Sequence, residues 1–173
     1  MEILEDLDQW YAEYESGWLA HFEETGETVF SIYNRPKNTL APSGAGVKLA
    51  NSRLILITSA GSYLADSQPA FDAADPLGDY SIRLYPSSTR LDKLAFAQDH
   101  YDHTAVEEDA QVLVPLRHLA DMVCEGVIGE IVPNVVSFHG YQPDVTRLIK
   151  ETVPILLEAV QKEKAHAALL IPA

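Results

Sequence analysis

Residues 53–60 read Arg-Leu-Ile-Leu-Ile-Thr-Ser-Ala, a continuous apolar run of leucine and isoleucine that ends in small residues. Strands buried on both faces have this composition, whereas a strand with one face in water alternates apolar and polar residues. The run therefore predicts the central strand of a mainly parallel sheet that is covered by helices on both sides.

Strand-like and helical segments alternate along the chain after this run. Residues 79–86 and 128–138 are strand-like, residues 113–125 and 145–164 have the apolar spacing of helices, and residues 166–171 form a last apolar run. We interpret that last run as a buried strand. The alternation predicts an α/β fold, a Rossmann-like sheet sandwiched by helices.

Two segments precede this α/β domain, which we place at residues 51–173. Residues 1–26 predict an amphipathic helix, because apolar residues recur there at helical spacing. This stripe consists of Ile3, Leu7, Trp10, Tyr11, Tyr14, Trp18 and Phe22. It packs either on the body of the same chain or on a partner subunit, and the sequence leaves both open. Residues 27–50 predict an extended linker, because they show no period and contain prolines and glycines.

The composition is that of one globular domain: 173 residues, of which 47% are hydrophobic and 22% are charged. The 26 acidic and 12 basic residues give a net charge of −14, which disfavours binding to nucleic acid and to anionic membrane surfaces. An acidic start is unlike a signal peptide, and the single cysteine, Cys124, excludes an intramolecular disulfide. The cytoplasm is therefore the predicted compartment.

Two stretches mark the candidate substrate site, because ligands of open α/β sheets bind beyond the carboxyl ends of the strands. They are Thr58-Ser-Ala-Gly61 and Ser137-Phe-His-Gly140, in which small residues let a ligand approach the backbone. The predicted substrate-binding residues are Thr58, Ser59, Gly61, Ser137, His139 and Gly140. Free N–H groups at Ser59 and Gly61 would form a cradle for an anionic group.

Asp99-His-Tyr-Asp-His103 is the densest cluster of reactive side chains. Histidine titrates near neutral pH, so His100 and His103, with Asp102 beside them, are the predicted catalytic acid–base groups. A zinc or iron site, as in a small metal-dependent hydrolase, is an alternative. The string lacks the HxHxDH signature because residue 98 is Gln, and we assign no metal ligand.

Seven stretches together carry a resemblance to a known family. In order they are residues 54–64, 78–86, 99–103, 115–120, 125–129, 137–140 and 144–152. As an ordered set they resemble the B-subunit family of glycine, sarcosine, betaine and D-proline reductases, called selenoprotein B. The family phrase SFMGG is replaced here by Ser137-Phe-His-Gly140, so His139 departs from the family pattern.

The resemblance implies reductive cleavage of a C–N bond in a small amino-acid-like substrate, by a protein that works with partner reductase subunits or as a homo-oligomer. It also implies a redox centre of the form (Sec/Cys)-x-x-Cys directly after the strand that matches His166–Ala173, and no other cofactor. That centre is absent from these 173 residues.

Two explanations of this absence stay open. In the first, a selenocysteine codon was interpreted as a stop. In the second, a natural short relative keeps the scaffold as a non-catalytic interaction protein. A TGA codon after Ala173, followed by an open frame with Cys three codons on, would favour the first.

Overall fold

The apolar run at residues 53–58 is the central strand of the sheet in a computed structural model of the protein, which describes residues 5–33, 39, 44–97 and 99–173. This strand, β1 (Arg53–Thr58), is buried at every position after Arg53. Its side chains alternate between two core clusters, with Leu54 and Leu56 in one and Ile55 and Ile57 in the other. Both faces are therefore covered, as the composition predicts.

Five strands form the main sheet. Three strands run parallel to β1, and β3 (Ile82–Pro86) pairs antiparallel with one of them, β6 (Asn134–Phe138), at one edge. The parallel partners are β5 (Glu130–Ile131), β6 (Asn134–Phe138) and β7 (Ala167–Ile171). The predicted α/β fold with a mainly parallel sheet is confirmed.

The prediction of one unbroken strand over residues 128–138 is wrong. Ile131 lies opposite Leu54, but Val136 lies opposite Ile57, so the register shifts by two residues between β5 and β6. Pro133 stands in the gap, and a proline cannot donate the N–H that a continuous ladder would need there.

The last strand is also not buried as predicted. Within the part of the chain that the structure describes, β7 pairs only with β1, so its other edge carries no strand. Its residues alternate between half-buried and exposed, and the side chain of Leu170 is 67% exposed.

Helices cover both faces of the sheet. The helix α4 (Leu116–Cys124) packs into the cluster of Leu54, and α6 (Val153–Lys162) into the cluster of Ile55. Shorter helices are α3 (Thr104–Glu108) and α5 (Val145–Arg147). A π-helical stretch, Leu148–Thr152, joins α5 to α6. This wider turn lies just before Pro154, which would collide with a carbonyl in a regular helix.

A small sheet and a long loop, neither of which the sequence predicts, lie beside the main sheet. The small sheet consists of two antiparallel strands, β2 (Ser62–Leu64) and β4 (Leu94–Phe96). Residues 65–81 form an irregular segment between β2 and β3.

The N-terminal helix runs through α1 (Leu7–Glu13), a π-helical stretch and α2 (Ala20–Thr25). Its aromatic stripe packs on the chain itself: Trp18 is fully buried, and Tyr14 is buried beside it. Of the predicted helix, residues 1–4 lie outside the described residues, as do residues 34–38 and 40–43 of the predicted linker. The described part of that linker contains two 3-10 turns, Phe30–Ile32 and Leu49–Asn51.

Candidate functional site

The turn after β1 does not offer the free N–H groups that were predicted. The Ser59 N–H donates to the Ile171 carbonyl at 3.0 Å, and the Gly61 N–H donates to the Phe138 carbonyl at 3.0 Å. The Ala60 N–H donates to Thr58 Oγ1 at 3.3 Å. The prediction that Ser59 and Gly61 offer free N–H groups to an anion is therefore wrong, because backbone carbonyls of the neighbouring strands accept hydrogen bonds from both groups.

Thr58 and Ser137 are fully buried rather than open to a ligand. The Ser62 hydroxyl bonds to Ser137 Oγ at 2.9 Å and to the Tyr85 hydroxyl at 2.8 Å, so three side chains share one buried network. Burial raises the pKa of Tyr85, which keeps its hydroxyl protonated and able to donate. Thr58 and Ser137 are therefore part of the buried structure at this end of the sheet and do not form an open surface for a ligand.

His139 is the most unusual group at this end of the sheet. It is fully buried, and its Nδ1 lies 3.1 Å from the Tyr141 carbonyl oxygen. A carbonyl can only accept, so Nδ1 carries the hydrogen in this bond and Nε2 carries the lone pair. Nε2 is buried and has no hydrogen-bond partner among the described residues. The described residues therefore leave one buried acceptor at this end of the sheet without a protein partner.

The electrostatics keep His139 neutral. Burial lowers its pKa, and the bond to the Tyr141 carbonyl and the carboxylates of Asp79 and Asp99 only partly oppose this effect. A neutral imidazole with an available lone pair can accept a proton or a hydrogen bond from a bound amine.

The depressed pKa of His139 predicts a loss of stability in acid. We expect the free energy of unfolding to fall as the pH drops below 6.5, the ordinary pKa of histidine. Between 6.5 and the lower folded pKa, the unfolded chain binds a proton at His139 that the folded protein does not. The slope from this one group is at most about 1.4 kcal/mol per pH unit.

Urea titrations across this pH range measure the effect. His139→Gln should flatten the dependence, and His118→Gln, at an exposed helix position, is the control for replacing a histidine by glutamine. An equal slope in the wild type and in His139→Gln would contradict the prediction.

The structure separates the two predicted catalytic histidines. The His100 ring stacks on Tyr141 with centroids 4.0 Å apart and lies 6.4 Å from the His139 ring. His103 stacks on Tyr101 at 4.5 Å and lines a different cavity, of about 700 Å³, beside acidic residues. The pair that shares a site is therefore His100 with His139.

The Asp102 carboxylate bonds to Thr104, the first residue of α3. Its carboxylate accepts from the Thr104 N–H at 2.9 Å and from the Thr104 hydroxyl at 2.7 Å. These bonds lower the pKa of Asp102, so the group is ionised and engaged with its own chain. The structure thus shows a local structural contact for Asp102, while its predicted catalytic role stays a prediction.

Two aromatic residues of the site, Phe71 and Tyr141, were not predicted from the sequence. The Phe71 ring stacks on His139 at 6.2 Å, and the Tyr141 hydroxyl donates to the Pro76 carbonyl at 2.8 Å. Burial raises the pKa of Tyr141 to about 12, so it is neutral at physiological pH. Tyr141 directly follows Gly140 of the quoted stretch, so its position in the sequence was the available signal. Phe71 lies in the irregular loop at residues 65–81, which has no hydrophobic period, so no sequence signal pointed to it.

A cavity of about 250 Å³ opens beside this group of side chains. Exposed Gly140 lies at its edge, so of the predicted substrate-binding residues this one lines a cavity. The other lining residues are Trp10, Phe30, Tyr33, Tyr141, Gln142, Pro143, Val145 and Leu148. The N-terminal helix thus contributes one wall.

No metal centre and no thiol is found at the site in the described residues. Within those ranges, no three His, Cys, Asp or Glu side chains are placed to hold a metal ion, and Gln98 lies outside them. Cys124 is exposed at the end of α4, which leads into β5. Glu130 of β5 lies opposite Arg53, so Cys124 is at the other end of the sheet from His139.

Comparison with known proteins gives one informative relative. Over 124 residues, 71% of the chain, the sequence is 27% identical to D-proline reductase subunit gamma of Acetoanaerobium sticklandii. The match covers 49% of that subunit, so the chain spans about half the length of this curated relative. No protein-family model and no solved structure matches the chain significantly.

The resemblance to reductase subunits is therefore confirmed as a weak similarity to a related subunit, and membership of selenoprotein B itself stays a prediction. No helix in the described ranges is long and apolar enough to span a bilayer.

Proposed function

We propose that this chain is part of a cytoplasmic reductase subunit, of the selenoprotein B kind, that binds a small amino-acid-like substrate for reductive cleavage of a C–N bond. The similarity to D-proline reductase subunit gamma over 71% of the chain carries the proposal. The chemistry of the candidate site supports it, because a buried neutral imidazole suits a substrate that brings N–H donors.

His139 and His100 have different roles in this proposal. Nε2 of His139, unpaired among the described residues, accepts a hydrogen bond from the substrate amine and so orients its C–N bond. His100 is exposed beside it and supplies the proton that the leaving nitrogen needs. His103 lines another cavity and the Asp102 carboxylate bonds to Thr104, so this proposal assigns neither a step, and their catalytic roles stay predictions from the sequence.

The reaction consumes two electrons and two protons: the C–N bond breaks, carbon gains one hydrogen and nitrogen gains the other. For a cyclic amino acid such as proline, cleavage next to the carboxylate-bearing carbon opens the ring to a linear amino acid. Cys124 lies at the opposite end of the sheet, so it is not the electron donor at this site. A thiol or selenol from a further segment or from a partner subunit supplies the electrons.

A chimera tests this proposal. The matched stretch of D-proline reductase subunit gamma is replaced by the 124 matching residues of this chain, and the complex is reconstituted with its other subunits and a dithiol reductant. We expect reductive C–N cleavage of at least one of D-proline, glycine and sarcosine, whose amines all carry N–H groups, and a loss of at least about tenfold in the His139→Gln chimera.

Assembly is followed separately by size-exclusion chromatography, so that a folding defect is recognised. A chimera that assembles with the other subunits but cleaves none of these three substrates would overturn the proposal. His118→Gln, at an exposed position of α4, is the matched control for the histidine substitution.

A further inference from the structure

The ring that stacks on His139 comes from a distant loop. Phe71 is 4% exposed, and its ring lies 6.2 Å from the imidazole with 28° between the two planes. His100 and Tyr141 approach the same imidazole edge-on, at 6.4 and 6.3 Å. Because Phe71 belongs to the irregular loop at residues 65–81, the cover of His139 depends on where this loop is held.

The part of the loop that carries Phe71, residues 69–75, is attached to the rest of the protein through one side chain. Within the described ranges, every hydrogen bond from residues 69–75 to a residue outside the loop comes from Arg83 of β3. Its Nε donates to the Pro69 carbonyl at 2.9 Å, and its Nη2 donates to the Ala70 carbonyl at 3.0 Å. The other hydrogen bonds of residues 69–75 stay within the loop.

The Arg83 guanidinium also contacts the Phe71 ring and the end of the loop. Its Cζ atom lies over that ring, 4.2 Å from the centroid. Nη1 donates to the Ser81 hydroxyl at 2.8 Å and to the Ile82 carbonyl at 3.0 Å. All four acceptors are neutral carbonyl or hydroxyl oxygens, so these bonds fix the backbone rather than pair two charges. The planar, five-donor guanidinium suits this task, whereas a lysine ammonium does not.

We propose that Arg83 is a positioning residue for the histidine site: it holds residues 69–75 in place with Phe71 on His139, and release of this segment gives a ligand access to Nε2. The inference rests on the proposed function in one respect, that a ligand reaches Nε2. A fully buried atom meets a ligand only after part of its cover moves. Residues 69–75 are the part whose attachment depends on one side chain, so their release costs least.

Diethyl pyrocarbonate tests the proposal on the full chain without any substrate. This reagent carbethoxylates neutral imidazole, so the rate at which it modifies His139 reports how often Nε2 becomes exposed. Mass spectrometry of the peptides gives this rate, and the exposed His118 of the same chain is the internal reference. In the wild type we expect His139 to react at least about tenfold more slowly than His118.

Arg83→Met should raise the rate at His139 about 10- to 100-fold, because it removes both hydrogen bonds to Pro69 and Ala70. Arg83→Lys keeps a cation but lacks the planar fork, so its rate should lie between those of Arg83→Met and the wild type. Arg90→Met is the matched control, since Arg90 is exposed and pairs with Asp92 outside the loop.

A double substitution tests whether Arg83 acts through Phe71. Phe71→Ala removes the stacked ring and should also raise the rate at His139. In that background, Arg83→Met should add less than about a further twofold, because the ring that Arg83 holds is already gone.

The NMR titration of His139 gives a second readout. Burial is the main cause of its low pKa, so the looser cover in Arg83→Met should raise this pKa towards the ordinary value. The other groups that act on it, Asp79, Asp99, His100 and the Tyr141 carbonyl, are retained in this variant.

Faster modification of His139 in Arg83→Met and in Phe71→Ala, with little further increase in the double variant, supports the proposal. An unchanged rate in Arg83→Met would overturn it, and so would an equal increase with and without Phe71. A rate increase accompanied by lost hydrogen-exchange protection in β1 would show global unfolding and would also overturn it. An inactive reductase chimera would leave this inference standing, and an active chimera would not rescue it if Arg83→Met leaves His139 unreactive.

Discussion

Trp18→Ala is expected to lower the free energy of unfolding of the N-terminal segment by about 3–5 kcal/mol, the range for removing a buried tryptophan. Trp18 is fully buried, and its ring stacks on Tyr14 at 5.8 Å and on Phe22 at 5.6 Å. Phe30 packs on it at 5.7 Å from outside the helix. One substitution therefore removes the centre of the aromatic stripe.

The damage should stay local. As far as the described residues show, neither core cluster of the sheet includes a residue before Leu54, so the sheet does not depend on Trp18 for packing. Hydrogen exchange should show lost protection over residues 7–33 and near-native protection in β1.

Tyr11→Ala on the same helix is the matched control. Its side chain is 37% exposed and bonds to Glu15, so the substitution should cost less than about 1 kcal/mol. Loss of protection in β1 of Trp18→Ala would show that the segment and the sheet unfold as one unit. Full protection over residues 7–33 would show that Trp18 is not the centre of this packing.

The fold was predictable because its centre has a composition that few other structures explain. An apolar run such as Leu54–Ile57 must be covered on both faces, and this requirement alone leads to helices on each side of a parallel sheet. Details that depend on single residues were not predictable in the same way. Pro133 interrupts the strand at residues 128–138, and β7 lies at an edge, where only tertiary pairing decides burial.

The two strand ends that the sequence groups into one candidate site lie together in the fold, while their role in binding a substrate stays a prediction. The ends of β1 and β6 do meet, and His139 lies there. His100 and His103 were predicted as a pair because they lie three residues apart in the sequence. In the fold, His103 lines another cavity, and the His100 ring lies near the His139 ring. Residues 39 positions apart in sequence form the pair, and no local pattern contains that information.

The irregular loop at residues 65–81 explains the rest of the difference. Phe71 of this loop covers His139, and Pro76 accepts the hydrogen bond of Tyr141. A segment without a period gives no signal of where it packs. Gly78 is the residue of this loop that constrains the site most, because the backbone beside it leaves no room for a Cβ atom.

Gly78→Ala should therefore disrupt both the loop and the histidine site. At Gly78 φ is +83°, and a Cβ atom would stand 2.6 Å from the Tyr141 carbonyl oxygen and 3.1 Å from Cδ of Pro143. That carbonyl is the one that holds Nδ1 of His139. We expect a loss of about 2–5 kcal/mol in the free energy of unfolding, from the left-handed backbone and the forced displacement together.

Gly26→Ala separates these two contributions. Gly26 has a similar φ of +72°, but a Cβ atom there would meet nothing within 4 Å, so only the backbone cost of about 1–2 kcal/mol remains. The second readout is the imidazole titration of His139 by NMR. If the alanine at position 78 displaces the Tyr141 carbonyl, His139 loses a hydrogen bond that raises its pKa, so its pKa falls further below the ordinary value, whereas Gly26→Ala leaves it unchanged. Equal destabilisation by the two substitutions, with the His139 titration unchanged in both, would mean that the close approach of Gly78 to Tyr141 does not build the site.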